Sequence, residues 1–234
     1  MKKIVFPFLF VLMFGFSGCI KPGERIEYYE FVPALVDNVA LFVPALKIPM
    51  DVFVTSQDLI NKFGDDLFIG DAVIAFFQIN HDMQTSTDYY TVSDLSYAKI
   101  QKTWAQPRSG GESMTDEFDQ PIDGMIIYGI VDYCWFWGFS HKNTGEKDLF
   151  HYEMTYDPEQ MGTPVVKIRA QKKSNGAPRA CASDMSSFFW NYKDENNEVK
   201  FNVQFKTGVD NDGKDVYEYF RDYSGVVTFN AEVK

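Results

Sequence analysis

A chain of 234 residues, 45% of them apolar and 24% charged, is long enough for one large or two small domains with real cores. Its 33 acidic against 22 basic residues leave a formal charge of −11, which repels phosphate backbones and anionic lipid and excludes nucleic acid as a partner. Of the three cysteines, Cys134 and Cys181 lie in the body of the chain, where two thiols allow one disulfide but do not demand it.

Lys2 and Lys3 open the chain, an apolar run from Ile4 to Phe16 follows, and Ser17-Gly18-Cys19 closes it. A charged start, a short apolar run and a small-residue cleavage site make a secretory signal, and the run is shorter than the roughly 20 residues a permanent membrane helix needs. The ending resembles a bacterial lipobox, in which Cys19 is acylated and becomes the first residue of the mature chain. Removing residues 1–18 takes away two lysines and no acid, so the remaining 216 residues carry −13. Membrane attachment then rests on the lipid at Cys19, where each buried methylene contributes about 0.8 kcal/mol. Residues 19–31 read as a tether, polar and without a sustained period, able to reach roughly 40 Å when extended.

Residues 32–122 read as a first β domain. Val39–Val43 and Ile48–Val54 are short branched and aromatic runs, punctuated by Pro33, Pro44 and Pro49, which suits edge strands and turns. Thr55-x-x-Asp58 resembles a capping box for a two-turn helix over Ser56–Phe63, with Gly64 able to take the left-handed position after it. Ala72–Asn80 is apolar on both faces and reads as a central strand, and Tyr89–Lys102 as another, bent one. Gln106–Asp123, with two prolines, two adjacent glycines and five acids, marks the boundary.

Residues 123–234 read as a second β domain. Met125–Phe139 predicts one strand or two, with a bulge at Gly129. Further strands are predicted over Leu149–Tyr156, Val165–Gln171, Phe188–Tyr192, Val199–Lys206, Val216–Arg221 and Val226–Glu232. Asp157-Pro158, Lys173–Gly176, Glu195–Asn197 and Asp210–Gly213 supply turn chemistry between them. The fold class is therefore mainly β, its second part an antiparallel β-sandwich, with one short helix.

The lipobox, the short tether, Gly70-Asp71-Ala72-Val73 leading into a strand, the Pro/Gly-rich junction, and Asp184-Met185-Ser186-Ser187 ahead of Val199–Lys206 resemble the NigD-like lipoproteins of Bacteroidetes. That resemblance implies an N-terminal OB-like barrel, a C-terminal β-sandwich and an envelope address, and it implies no reaction.

Candidate chemistry is thin. Asp210–Asp215 is rich in carboxylates, but a calcium loop with its glycine at position 213 would put Gly208 and Tyr219 at the end-ligand positions, while a hairpin turn explains the same residues. His141 and His151 are candidates to meet, and His151 shares a strand face with Glu153, yet only His81 remains to complete a zinc set. Ser140-His141 and Ser183-Asp184 place neighbours on opposite faces of a strand, and no Gly-x-Ser-x-Gly elbow, His-Glu-x-x-His, phosphate loop or Gly-x-Gly-x-x-Gly occurs. Tyr133, Trp135, Trp137 and Phe139 alternate onto one face, either a sandwich core or a stacking platform for sugar rings or a partner peptide. Trp104 and Trp190 are further candidates for ligand stacking.

The expected function is that of a non-catalytic binding or accessory protein of the cell envelope, needing no cofactor and contacting a protein or peptide. Glycan binding through exposed aromatics, or an envelope hydrolase of unrecognised type, are the alternatives. Ile20 after the cysteine resembles the pattern sent to the outer membrane, and Lys21-Pro22-Gly23-Glu24 supplies a single acid where surface-displayed relatives carry several; both the periplasmic and the external face stay open.

Overall fold

A computed structural model describes residues 25–40, 42–108, 118–142, 144–145, 147–174 and 179–220, with the backbone of 225–228. The signal segment, Cys19 and the first part of the tether lie outside the described residues, as does the middle of the expected boundary segment.

The first unit is a closed barrel of β1 (Ile26–Val39), β2 (Val43–Ile48), β3 (Val52–Thr55), β4 (Ala72–Asn80) and β5 (Tyr90–Lys99), in the order β1-β2-β3-β5-β4. Small and branched inward residues, among them Ala34, Val36, Leu46, Val54, Val73 and Ala75, fill it. β1 begins at Ile26, inside the stretch read as tether. Ile26–Tyr29 pair with Phe77–Asn80, and the Tyr29 ring stacks on Phe77 at 5.1 Å, so the partner strand orders residues that show no period of their own. The run Val39–Val43 is not one strand: Val39 ends β1, Val43 opens β2 in register with it, and Ala40 and Phe42 are turn residues between them. Pro33 is tolerated in β1 because β2 pairs only from Leu35 onward, leaving one edge free at the proline.

α1 (Gln57–Lys62) covers part of this barrel and buries Leu59. Its cap is Ser56, which accepts from the Leu59 backbone N–H at 3.1 Å, one residue later than the expected Thr55. Thr55 is instead committed to the barrel, donating to the Pro44 carbonyl oxygen at 2.7 Å. Gly64 follows at φ +89, as expected.

The second unit is one curled sheet. Its strands are β6 (Gln101–Pro107), β7 (Gly124–Val131), β8 (Cys134–Ser140), β9 (Phe150–Tyr156), β10 (Val165–Lys172), β11 (Ala180–Asp184), β12 (Glu198–Val209) and β13 (Asp215–Tyr219), ordered β13-β12-β10-β9-β6-β11-β8-β7, with β14 (Gly225–Thr228) also on β12. The curl brings distant strands face to face: Trp135 of β8 meets Phe201 of β12 edge-on at 5.4 Å, so the sheet closes over a core as a sandwich does. Pairing is mixed, since β6–β11, β6–β9 and β10–β12 are parallel. The chain passes from barrel to sheet at Ile100, ahead of the expected division at residue 122, because β6 takes a central place in the second sheet.

Met125–Phe139 forms two strands joined by a turn with Asp132 at φ +53, and the register shifts between Ile127 and Gly129, as the glycine suggests. Residues 188–192, read as strand, belong instead to a second helix, α2 (Ser186–Tyr192). Asp184 accepts from the Ser186 N–H, and Phe188 and Phe189 both turn inward against the sheet core. Adjacent aromatics that bury on the same side fit a helix turn and not a pleat.

The barrel packs on the outer face of the sheet. Leu35, Ala72, Ile74 and Ile100 share a buried cluster with Val131, Cys134, Phe136 and Ala182. Gly129, at φ +156, lets β7 approach β1: a Cβ there would lie 2.9 Å from Pro33 Cγ. Lys47 bridges the units through Asp132 at 2.6 Å and also holds Asp51 at 2.9 Å. Burial alone would lower the Lys47 amine, but those hydrogen bonds outweigh it and hold it above its ordinary value.

Candidate binding surfaces

Trp135 and Trp137 are wholly buried, stacked on each other at 5.3 Å in the sheet core, so they offer no platform to a ligand. Tyr133 and Phe139 pack with the same core. Trp104 and Trp190 are exposed, at 61% and 56%. Trp104 projects from the face of β6 opposite Ala105, which lies in the core beneath α2. Trp190 carries the Lys193 ammonium 4.3 Å from its ring centre.

Cys134 and Cys181 are free and buried. Their strands are neighbours, but Cys181 is paired in register with Trp137 and Cys134 with Asp184, and the two side chains enter different cores, so the candidate disulfide is not formed. Burial pushes the Cys134 thiol up to about 11 and raises Cys181 further, which keeps both protonated and unreactive.

The histidines are separated. His141 stacks on Phe150 at 4.1 Å, and its ring nitrogens bond the Pro121 carbonyl oxygen (2.8 Å) and the Tyr152 hydroxyl (3.0 Å). Burial, with the Arg179 charge adding to it, holds His141 below its ordinary value against the opposing Pro121 bond. His151 points to the other face of β9, and His81 sits on the barrel beside Glu27 at 3.2 Å. Among the described residues no three His, Cys, Asp or Glu side chains converge as a metal site. In the Asp210–Asp215 loop the Asp210 carboxylate accepts from the Asp212 and Lys214 N–H groups, and Gly213 sits at φ +76: a hairpin turn uses the acids internally. Ser183 donates to the Met154 sulfur and Ser140 to the Gly124 carbonyl oxygen, at opposite ends of β8.

A charge array invisible in the linear pattern covers the outer face of β9, β10, β12 and β13. Arg108 binds Glu153, which also faces Arg169 at 3.4 Å; Arg169 lies 3.5 Å from Asp215, and Asp215 holds Lys206. Lys206 donates on to the Phe118 carbonyl oxygen, and Arg169 lies over the Phe118 ring. These are contacts of assembly, closing residues 118–123 over strands that splay apart: Gln120 donates to Ala170 and Ile122 to Lys206.

A concavity of about 320 Å³ is lined by Lys147, Asp148, Leu149, Lys172, Lys173 and Ser174. Lys172 is already bound to Asp148 at 2.7 Å.

The exposed apolar side chains are more distinctive. Phe42 stands at the β1–β2 tip, 85% exposed and at φ +67. Phe68 and Ile69, 53% and 60% exposed, occupy the turn leading into β4. That turn is pinned to β1 through Gly70 N–H to the Val36 oxygen and Val36 N–H to the Asp71 oxygen, both 2.8 Å, so it lies at the same end of the barrel as Phe42. The opposite end carries Arg25, Ile26 and Asn80–Asp82, where the chain enters from its N-terminal side. The apolar run 39–43 hid Phe42, because nothing in the sequence marks a phenylalanine as the turn residue.

No family model matches the chain, and no curated protein is significantly similar to it in sequence. Its structure is similar to that of an uncharacterized protein from Parabacteroides merdae, with a TM-score of 0.63 and 14% identity over 80% of this chain and 94% of that one. A protein of unknown function DUF1344 from Bacteroides vulgatus matches with a TM-score of 0.46 and 12% identity, over 88% and 97% of the two chains. A NigD-like immunity protein from Bacteroides caccae, of the family the sequence resembles, matches with a TM-score of 0.42 and 13% identity, over 83% and 91%. What the chain shares with the first of these is a fold, a small closed barrel followed by a curled β-sheet.

Proposed function

We propose that this protein is a lipid-anchored accessory protein of the outer membrane that binds a protein or peptide partner and performs no catalysis. The observation that carries the binding role is the contrast between its two kinds of surface group. The ionisable side chains that chemistry would recruit are bound to one another inside the fold, Glu153 between two arginines and His141 between Pro121 and Tyr152. The large apolar side chains at the barrel end stand in solvent on well-held backbone. The anchor is supported by the lysine-apolar-Ser-Gly-Cys pattern of residues 2–19.

Two measurements on the same preparation test this reading. Mass spectrometry of the chain from its own envelope should find Cys19 acylated and residues 1–18 removed; an intact N-terminus without fatty acid refutes the anchor. Affinity capture from crosslinked envelopes, with Cys19→Ala as the unanchored control, should retain one protein reproducibly; retention of glycan alone would transfer the assignment to the glycan-binding alternative.

A further inference from the structure

We propose that the barrel end bearing Phe42, Phe68 and Ile69 is the docking surface for a basic protein partner, an inference that rests on the binding role above and names where and what it binds. Three observations converge on it.

The first is conformational. A bulky residue at positive φ is an outlier, costing on the order of 1–3 kcal/mol, and such outliers cluster at ligand clamps and functional sites. Phe42 adopts it at φ +67 without burying its ring. Glycine or asparagine would turn the same hairpin at less cost. The strain is tied to showing an aromatic face to solvent.

The second is rigidity. The Phe68–Asp71 turn is fixed by both hydrogen bonds to Val36, by Phe68 N–H to the Asp71 carboxylate at 2.9 Å, and by the Lys102 ammonium to the Gly70 carbonyl oxygen at 3.1 Å. Anchors presented on a fixed turn give up little freedom when a partner arrives.

The third is charge, and it selects the occupant. Asp58, Asp65 and Asp66, on α1 and the loop after it, are exposed, and among the described residues no cation is paired with them. Neighbouring cations are engaged: Lys99 binds Asp71 at 2.6 Å, and Lys62 lies 5.1 Å from the Tyr97 ring centre. An apolar centre whose rim carries three carboxylates outside any ion pair among the described residues, Asp58, Asp65 and Asp66, complements a cationic protein face. It opposes anionic lipid and a second copy of itself. The bilayer is disfavoured by geometry as well, since a tether from Cys19 arrives at Arg25, on the other end of the barrel.

The test is site-specific photo-crosslinking in intact cells with the full-length chain. A photoreactive residue replaces Phe42 or, as reference, Met161, which is 93% exposed on the second unit. The expected result is an adduct at 42 with one protein of basic isoelectric point, absent at 161. Its yield should fall about tenfold with Ile69→Ala, as for truncation of a hot-spot anchor. It should also fall with the pair Asp65→Lys and Asp66→Lys, while thermal melting is unchanged by either variant. A lipid adduct, an adduct of twice the chain mass, no adduct at 42, or an adduct indifferent to the charge reversal overturns the proposal. A protein adduct at 161 with none at 42 overturns this surface but leaves the binding role standing, whereas no protein capture at either position, or in the affinity experiment, removes both.

Discussion

His141 shows what a single buried ring does to the pH response. Its folded value lies below the ordinary 6.5, chiefly through burial, so the fold favours the neutral ring. As pH falls the unfolded chain takes up this proton first, and protonation then favours unfolding. The contribution is complete above 6.5 and declines from there as pH falls through the folded value. Urea midpoints measured between pH 8 and pH 5 should therefore drop. A His141→Asn chain, with no ring to titrate, should lose that part of the slope, and an unchanged slope would mean the ring titrates alike in the folded and unfolded chain. The sequence offered this histidine as a metal or triad candidate; its contacts to Pro121, Phe150 and Tyr152 come from segments that only the tertiary fold brings together. The tryptophans teach the same lesson. Trp104 and Trp137 both sit in strands, yet one is exposed and the other wholly buried, because exposure depends on which sheet face is later covered.

Among elements, strand and turn chemistry was most legible where it was local. The bulge at Gly129, the hairpin at Asp210–Gly213 and the first helix all follow from residues within a few positions of each other. α2 and β1 did not, since Phe188-Phe189-Trp190 has strand composition and Ile26–Tyr29 is ordered only by β4. The Arg108–Glu153–Arg169–Asp215–Lys206 array is an element-scale device: it joins four strands and the residue just past β6 through side chains that no spacing rule could associate. Replacing such an array wholesale by apolar residues can be neutral, but removing one partner leaves buried charge uncompensated. Glu153→Gln keeps the shape but takes the carboxylate from Arg108 and from the buried Arg169, which still faces Asp215, so unfolding free energy should fall by about 3 kcal/mol in urea titration. A loss within experimental error of zero would show that solvent or other groups already compensate the arginines.

At the scale of the molecule, the mainly-β architecture was legible, because frequent prolines, turn clusters and short branched runs leave few alternatives, and the barrel at its start came from the family resemblance. How the two parts join was not, since the shared cluster of Leu35, Ala72, Ile100, Cys134, Phe136 and Ala182 draws on widely separated segments. That cluster makes the barrel and the sheet thermodynamically dependent on each other. Calorimetry should show one transition, and Phe136→Ala should cost about 3–5 kcal/mol while lowering the melting of both parts. Two resolved transitions in the unaltered chain would mean that the contact is weaker than its burial implies. The exposed apolar end of the barrel was hidden at every scale of sequence reading, because it is formed by a tip and a turn whose apolar residues look like strand and core.

The place of β6 also has a consequence for the order of folding. The barrel uses a contiguous stretch, residues 26–99, and can close from that stretch alone. β6 comes next but needs β9 on one side and β11 on the other, and the last residue of β11 lies about 77 positions beyond Pro107. A chain that emerges N-terminus first on the side where it folds therefore trails, behind the barrel, a strand with both edges unsatisfied until those positions follow. Holdase chaperones would find their target there, and variants truncated ahead of Ala180 should aggregate through Gln101–Pro107 rather than through the N-terminal half.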